Sequence, residues 1–262
     1  MSLQDPARRV ETGRAKQAQI LARAASEPAT PYEASWRDFI FAEVWTRPGL
    51  DLRSRFLISV AGASSADVST HILEGYVKGA LSLKVLSLAE WREAALHFAV
   101  YGGWSRGAIM DAAITRAAQA LGLEPAAFAA IRAEPWDPAE RMAVGEKNFA
   151  DVMTFGGPKA PGGSAFAGGG ILNFVFGEMW RRPGLDERSR RWLTLVGVSD
   201  SSAVTPIKTH VYAAMKSGNA TVDEMKEFVL QYAIHAGWPR ASVIDSAVQE
   251  QAQRIEGGKP PF

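Results

Sequence analysis

Trp45 to Arg55 reads W-T-R-P-G-L-D-L-R-S-R and Trp180 to Arg190 reads W-R-R-P-G-L-D-E-R-S-R, with nine of eleven positions identical at a spacing of 135. A self-match of this strength outranks local propensity, because it makes the chain two copies of one unit before any helix is assigned. The match extends outward with small changes of offset. Upstream, Arg9 and Gly13 pair with Arg141 and Gly145; downstream, His71 and Gly79 are matched to His210 and Gly218, and Gly103-Trp104 to Gly237-Trp238. Keeping that downstream register requires an insertion around Leu81 to Leu86 in the first copy. The units are therefore expected at residues 1–133 and 134–262, with the seam in the Pro-rich stretch Glu134 to Pro138.

Around the quoted stretch the apolar residues recur at helical spacing. Trp36, Phe39, Ile40, Phe41, Val44 and Trp45 are mirrored by Ile171, Phe174, Val175, Phe176, Met179 and Trp180, which predicts a core-facing helix before each Pro-Gly step. The Pro-Gly step ends that helix, and Asp51 or Asp186 is placed to cap the next. Val68, Ile72 and Tyr76 around His71 match Ile207, Val211 and Met215 around His210. A further helix carries Trp91, Ala94, Ala95, Phe98 and Ala99 in one copy and Met225, Phe228, Val229, Tyr232 and Ala233 in the other. No segment alternates convincingly between hairpin signals. The fold class is all-α, a tandem duplication of a five- to six-helix domain. Gly156 to Gly170 reads as an enlarged loop; its glycines lack the Gly-Lys-Ser/Thr ending and the preceding strand of a phosphate cradle.

Composition narrows the function. The chain has 29 Lys plus Arg against 28 Asp plus Glu, a net charge of +1, so no footprint for nucleic acid or an anionic membrane surface is present. No apolar run is long enough for a membrane span or an export signal, and the cytoplasm is the expected compartment. The basic segment Arg8 to Ala25 reads as part of the first repeat rather than as a transit peptide. With no cysteine in 262 residues, thiolate nucleophiles, zinc–thiolate sites and dithiol redox chemistry are excluded.

The run W-x-R-P-G-L-D-x-R-S-R, a helix bearing His210, the Gly218 turn and D-E-M-K-E-F-V-L-Q-Y-A-I-H-A-G-W-P at Asp223 to Pro239 together resemble the carboxymuconolactone decarboxylase family. The second copy is the closer match; the first has Ser105 where the second has Pro239. The resemblance implies an all-helical scaffold shared with alkyl-hydroperoxidase-type proteins and a homo-oligomer in which three fused chains form a pseudo-hexamer. It implies a cofactor-independent lyase acting by acid–base chemistry on a small carboxylated lactone or related metabolite of aromatic-acid breakdown. A non-catalytic ring-forming protein of the same fold is the alternative, as is a thiol-independent enzyme of another reaction. The positions of the redox C-x-x-C pair hold Ser64 and Asp67, or Ala203 and Pro206, so thiol peroxidase chemistry is excluded.

Such a decarboxylation needs cationic or N–H groups to hold carboxylates, a donor near the developing oxyanion and an acid to protonate carbon. His210 is read as the proton donor on the strength of a near-neutral pKa, with His71 as its counterpart and Glu227 as a second catalytic group. A polar line on one apolar helix, Glu93, His97 and Tyr101, is matched by Glu227, Gln231 and His235. From it, Glu93, His97, Gln231 and His235 are expected to bind substrate. Arg182 and Arg190 supply guanidiniums for carboxylates, and Trp180 is a candidate pocket wall. Four histidines in two separated pairs lack the spacing of a metal centre, and no metal or cofactor is expected.

Overall fold

A computed structural model describes residues 5–66, 70–131, 134–135, 137–156 and 164–262. Every regular element among them is helical. In chain order these are α1 (Pro6–Leu21), α2 (Pro31–Ser35) running into a π-helix (Trp36–Val44), α3 (Leu52–Ser65), α4 (Thr70–Ser82), α5 (Leu88–Gly102) and α6 (Trp104–Ala120). There follow α7 (Pro138–Met153), a second π-helix (Ala165–Phe176), a 3₁₀ turn (Met179–Arg181), α8 (Glu187–Ser201), α9 (Val204–Lys216), α10 (Val222–Ala236) and α11 (Trp238–Glu256). No described helix is long and apolar enough to cross a membrane.

The ends of these helices are written into the sequence. Asp51 accepts the Ser54 amide at 2.8 Å and Asp186 accepts the Ser189 amide at 2.8 Å, so the aspartate of each P-G-L-D stretch caps α3 or α8 as its position predicts. Asp5 and Asp137 cap α1 and α7, each followed by a proline at the first helical position, where a missing N–H costs nothing. Ser87 with Glu90 and Thr221 with Glu224 form reciprocal capping boxes that start α5 and α10. Gly103 and Gly237, at φ +95° and +85°, allow α5 to turn into α6 and α10 into α11.

The two π-helices depart from the sequence reading, which anticipates ordinary α-helices there. The Trp45 amide bonds to the Ile40 carbonyl at 3.0 Å and the Gly177 amide to the Leu172 carbonyl at 2.8 Å, five residues back in each case. Gly13 of α1 and Gly145 of α7 meet these wider helices at the Arg37 and Leu172 carbonyls, so closely that a β-carbon would strike the oxygen. The second π-helix also shortens the anticipated Gly156 to Gly170 loop. Gly168 to Gly170 are helical, while residues 157–163 lie outside the described residues, as do Asp67, Val68, residues 132–133 at the expected boundary and residue 136 in the seam.

The halves do not fold around separate cores. α3 packs on α8, α5 on α8 and α10 on α3, so that the second helix hairpin of each half lies against the other half's central helix. One apolar cluster runs from Ile20, Phe41 and Phe56 through Trp91 and Phe98 to Trp192, Phe228 and Val248. Full burial of each large side chain in it contributes about 1.5–3 kcal/mol. This crossing, rather than either half alone, builds the polar clusters described next.

Candidate functional site

Two buried polar clusters lie where α5 meets α8 and where α10 meets α3. In the first, Glu93 and His97 of α5 stack one turn apart, with Tyr101 a further turn along. The chain after the 3₁₀ turn brings Arg182 to Glu93, Nε to Oε2 at 2.9 Å and Nη2 to Oε1 at 2.6 Å. Arg182 also donates to the Ala129 and Ala130 carbonyls, which leaves it fully engaged. α8 contributes Arg190, Arg191 and Thr194. Arg190 donates to the Arg182 carbonyl at 2.6 Å and lies 3.4 Å from His97 Nδ1, while His97 Nε2 lies 3.0 Å from Thr194 Oγ1. Trp180 donates to the Tyr101 hydroxyl at 2.6 Å, and His210 of α9 sets its ring edge-on to Tyr101 at 5.4 Å.

Arg191 gives this cluster an excess of positive charge. It is wholly buried, lies over the Trp180 ring at 4.8 Å, and donates to the Val152 carbonyl at 2.7 Å. Its one acidic partner, Glu187 at 3.4 Å, is half exposed, and its Nη1 has no hydrogen-bond partner among the described residues. Arg190 has no carboxylate within ion-pairing distance among the described residues. Burial lowers both guanidiniums to about 10, so both stay charged at neutral pH. Three buried guanidiniums thus share one buried carboxylate, Glu93. A deficit of negative charge in a low-dielectric setting favours an anionic ligand.

The histidines behave differently from the sequence expectation. Burial, reinforced by Arg191, lowers His210 to about 3, so it is a neutral imidazole whose Nδ1 has no partner among the described residues, and a near-neutral pKa does not describe it in the free protein. His97 is pushed well below 6.5 by burial and then by Arg190, Arg191 and His210. Burial also lowers His235 to about 4. His71 stands apart, exposed at the start of α4. The side chain that meets His235 edge-on is instead Tyr76, at 5.8 Å. Lys84, at φ +54°, occupies the left-handed turn before α5 that Gly218, at φ +79°, occupies before α10. No insertion at Leu81 to Leu86 is then needed, and Tyr76 rather than His71 corresponds to His210.

In the second cluster Glu227 of α10 is held by Arg47, whose Nε lies 2.8 Å from both carboxylate oxygens, and by Arg55 Nη2 at 3.0 Å. Burial opposes the charge on Glu227, but the two guanidiniums outweigh it and keep the carboxylate below its ordinary range. It is an ion-pair anchor rather than a proton carrier. Gln231 accepts from Arg55 at 2.7 Å and donates to Ser59 Oγ at 2.8 Å. The order guanidinium, α10 side chain, α3 hydroxyl repeats the order Arg190, His97, Thr194. Gly62 lets His235 approach α3 as Gly197 lets Tyr101 approach α8.

The structure therefore brings Glu93, His97, Arg182, Arg190, Trp180 and His210 into one cluster, places Glu227, Gln231 and His235 in the other, and leaves His71 out of both. Sequence reasoning omitted Arg191, Thr194, Ser59 and Tyr76. The signal for Arg191 was the doubled arginine at 190–191, against Arg55-Phe56 at the end of the matching stretch in the first half. A groove of about 450 Å³ follows α1, lined by Ala7, Val10, Glu11 and Arg14 among others, and touches neither cluster. Among the described residues no group of three His, Asp or Glu side chains is arranged to hold a metal ion.

Fold and clusters together define an all-helical protein with buried, arginine-rich polar centres. No family profile matches the chain. It is similar to 4-carboxymuconolactone decarboxylase of Acinetobacter baylyi, 30% identical over 80 residues covering 30% of this chain and 59% of that protein. It is also similar to nitrosuccinic acid decarboxylase npaB of Metarhizium robertsii, 33% identical over 81 residues covering 31% of this chain and 54% of that protein. The chain thus spans between half and three fifths of the length of these curated relatives. Both are decarboxylases by name.

Proposed function

We propose that the protein is a cofactor-independent carboxy-lyase built from two repeats, residues 1–133 and 134–262, with its chemistry at the α5–α8 cluster. The observation that carries this reading is Arg191, a buried cation whose Nη1 has no partner among the described residues and which lies over Trp180, the indole bonded to Tyr101, whose ring in turn meets His210. The named substrates of the two relatives support the reaction class. A conjugated lactone and a nitro compound each supply their own electron sink for the pair left when CO₂ departs, so the protein has only to bind, orient and stabilise charge. Arg190 and Arg191 would hold the substrate carboxylates. An anion bound beside His210 raises its pKa from the low value of the free protein, so that the imidazole can take up a proton from solvent and pass it to carbon.

The substrate class is a small di- or tricarboxylic metabolite with a conjugated acceptor, and the assembly a trimer with six pseudo-equivalent units. The near-complete burial of His97, Thr194 and Arg191 favours a second reading, a ring-forming protein in which the cluster is structural. One experiment separates the two. CO₂ release from 4-carboxymuconolactone and from nitrosuccinate is measured with wild type and Arg191→Met. Turnover by wild type and a loss of about 10²-fold or more in kcat/KM for the variant is expected. Failure of wild type on both compounds removes the lyase reading, and light scattering tests the trimer.

A further inference from the structure

The hydrogen-bond order of the α5–α8 cluster can be followed from one end to the other. A guanidinium only donates, so His97 Nδ1, facing Arg190 Nη1 at 3.4 Å, is the bare nitrogen of the ring. His97 is neutral, and its single proton then sits on Nε2 and is donated to Thr194 Oγ1 at 3.0 Å. Tyr101, one turn beyond His97 on α5, sets its ring 5.5 Å from the imidazole. Trp180 Nε1 donates to the Tyr101 oxygen at 2.6 Å. The phenol oxygen is therefore an acceptor, and its own O–H has no hydrogen-bond acceptor among the described residues.

His210 sets its ring edge-on to Tyr101, and Arg191 lies over the Trp180 ring that donates to the phenol; His210 Nδ1 and Arg191 Nη1 have no hydrogen-bond partner among the described residues. Three groups with unspent hydrogen-bonding capacity thus belong to one cluster, one of them a cation. We propose that Tyr101 is the catalytic group that donates a hydrogen bond to the acceptor oxygen of the bound substrate, with Trp180 as the positioning residue that holds its oxygen. The inference rests on the lyase reading and names the donor that reading leaves open.

The step balances without a co-reactant. The bond from carbon to the departing carboxylate breaks and CO₂ leaves. The electron pair moves through the conjugated system onto the acceptor oxygen, where the Tyr101 O–H hydrogen bond shortens as charge develops. One proton from solvent then closes the new C–H bond. The other cluster runs the same relay from Arg55 through Gln231 to Ser59, but His235 stands where Tyr101 would be needed. It lacks the phenolic donor at the end of the line.

The test uses the full chain with 4-carboxymuconolactone and nitrosuccinate as probes, and variants Tyr101→Phe and Trp180→Phe, each checked for folding by circular dichroism. Tyr101→Phe is expected to lower kcat by about 10²–10³-fold with KM little changed. Trp180→Phe, which keeps an aromatic ring and loses the N–H that holds the phenol oxygen, should lower kcat by about tenfold with KM little changed. A Tyr101→Phe enzyme with wild-type kcat, on a probe the wild type turns over, overturns the inference while leaving the lyase reading intact; a wild type inactive on both probes overturns the lyase reading. The tyrosine Fermi doublet in the Raman difference between wild type and Tyr101→Phe reads the hydroxyl in either case. An acceptor-dominated doublet is expected in the free protein, and a donor-dominated one overturns the proton placement.

Discussion

The α5–α8 and α10–α3 clusters use the same backbone positions and reach opposite electrostatic ends. In the second, Glu227 accepts from both Arg47 and Arg55, so the charges close on one another. In the first, Arg182 alone satisfies Glu93, Arg190 turns to His97, and Arg191 adds a cation where the other half has the apolar Phe56. The aromatic and imidazole partners are also exchanged: tyrosine from α5 with histidine from α9 on one side, histidine from α10 with tyrosine from α4 on the other. A shared scaffold thus fixes where side chains meet, while Arg191 in place of Phe56, together with the turn of Arg190 to His97, leaves the first cluster with more buried cation than buried carboxylate.

The largest test of that contrast is removal of the carboxylate. Glu227→Ala strands the buried Arg55 and the part-exposed Arg47 and is expected to destabilise by about 3 kcal/mol. Glu93→Ala leaves the buried Arg182, Arg190 and Arg191 without a buried carboxylate and should cost more than Glu227→Ala, after which Arg55 keeps Gln231 and the Arg47 carbonyl and Arg47 reaches solvent. Urea unfolding of both variants gives the order, and equal losses would erase the distinction.

The buried histidines supply the next test. The unfolded chain protonates near 6.5, whereas folded His210 and His235 protonate at about 3 and about 4. Between those limits the unfolded state binds more protons, so stability is complete above pH 6.5 and declines as pH falls toward 4, by about 1.4 kcal/mol per pH unit for each such group. His210→Gln should flatten thermal unfolding between pH 6 and 4, and an unchanged slope would contradict burial of a neutral ring.

Smaller effects come from the glycines and caps. A β-carbon at Gly197 would lie 2.6 Å from Tyr101 Cβ and 2.9 Å from its backbone carbon, whereas at Gly62 the nearest atom is His235 Cβ at 3.2 Å. Gly197→Ala is therefore expected to cost about 1–3 kcal/mol, and Gly62→Ala less. Asp51→Ala and Asp186→Ala each lose an N-cap worth about 1 kcal/mol and should shift the denaturation midpoint equally. Unequal caps would show that the corners are not equivalent.

Much of the fold is legible in the sequence because the P-G-L-D corner and the apolar spacing act locally. The π-helices are not, since over nine to twelve residues a slightly wider turn leaves the same apolar positions inward. The clusters were half legible. Glu93, His97, Gln231 and His235 announce themselves as polar positions on an apolar helix face, but nothing local says that their partners come from the other half. His71 matches His210 by letter only across a gap; Lys84 takes the left-handed turn that Gly218 takes in the second half, and this hides the ungapped register in which Tyr76 answers His210.

The crossing of α5 onto α8 and of α10 onto α3 has a genetic corollary. In an assembly of identical chains, a codon change rewrites every centre at once, so any gain in one is copied into all. Joined in a single polypeptide, the two centres answer to separate codons, and each draws on both halves of the chain. One can specialise while its twin keeps the molecule together.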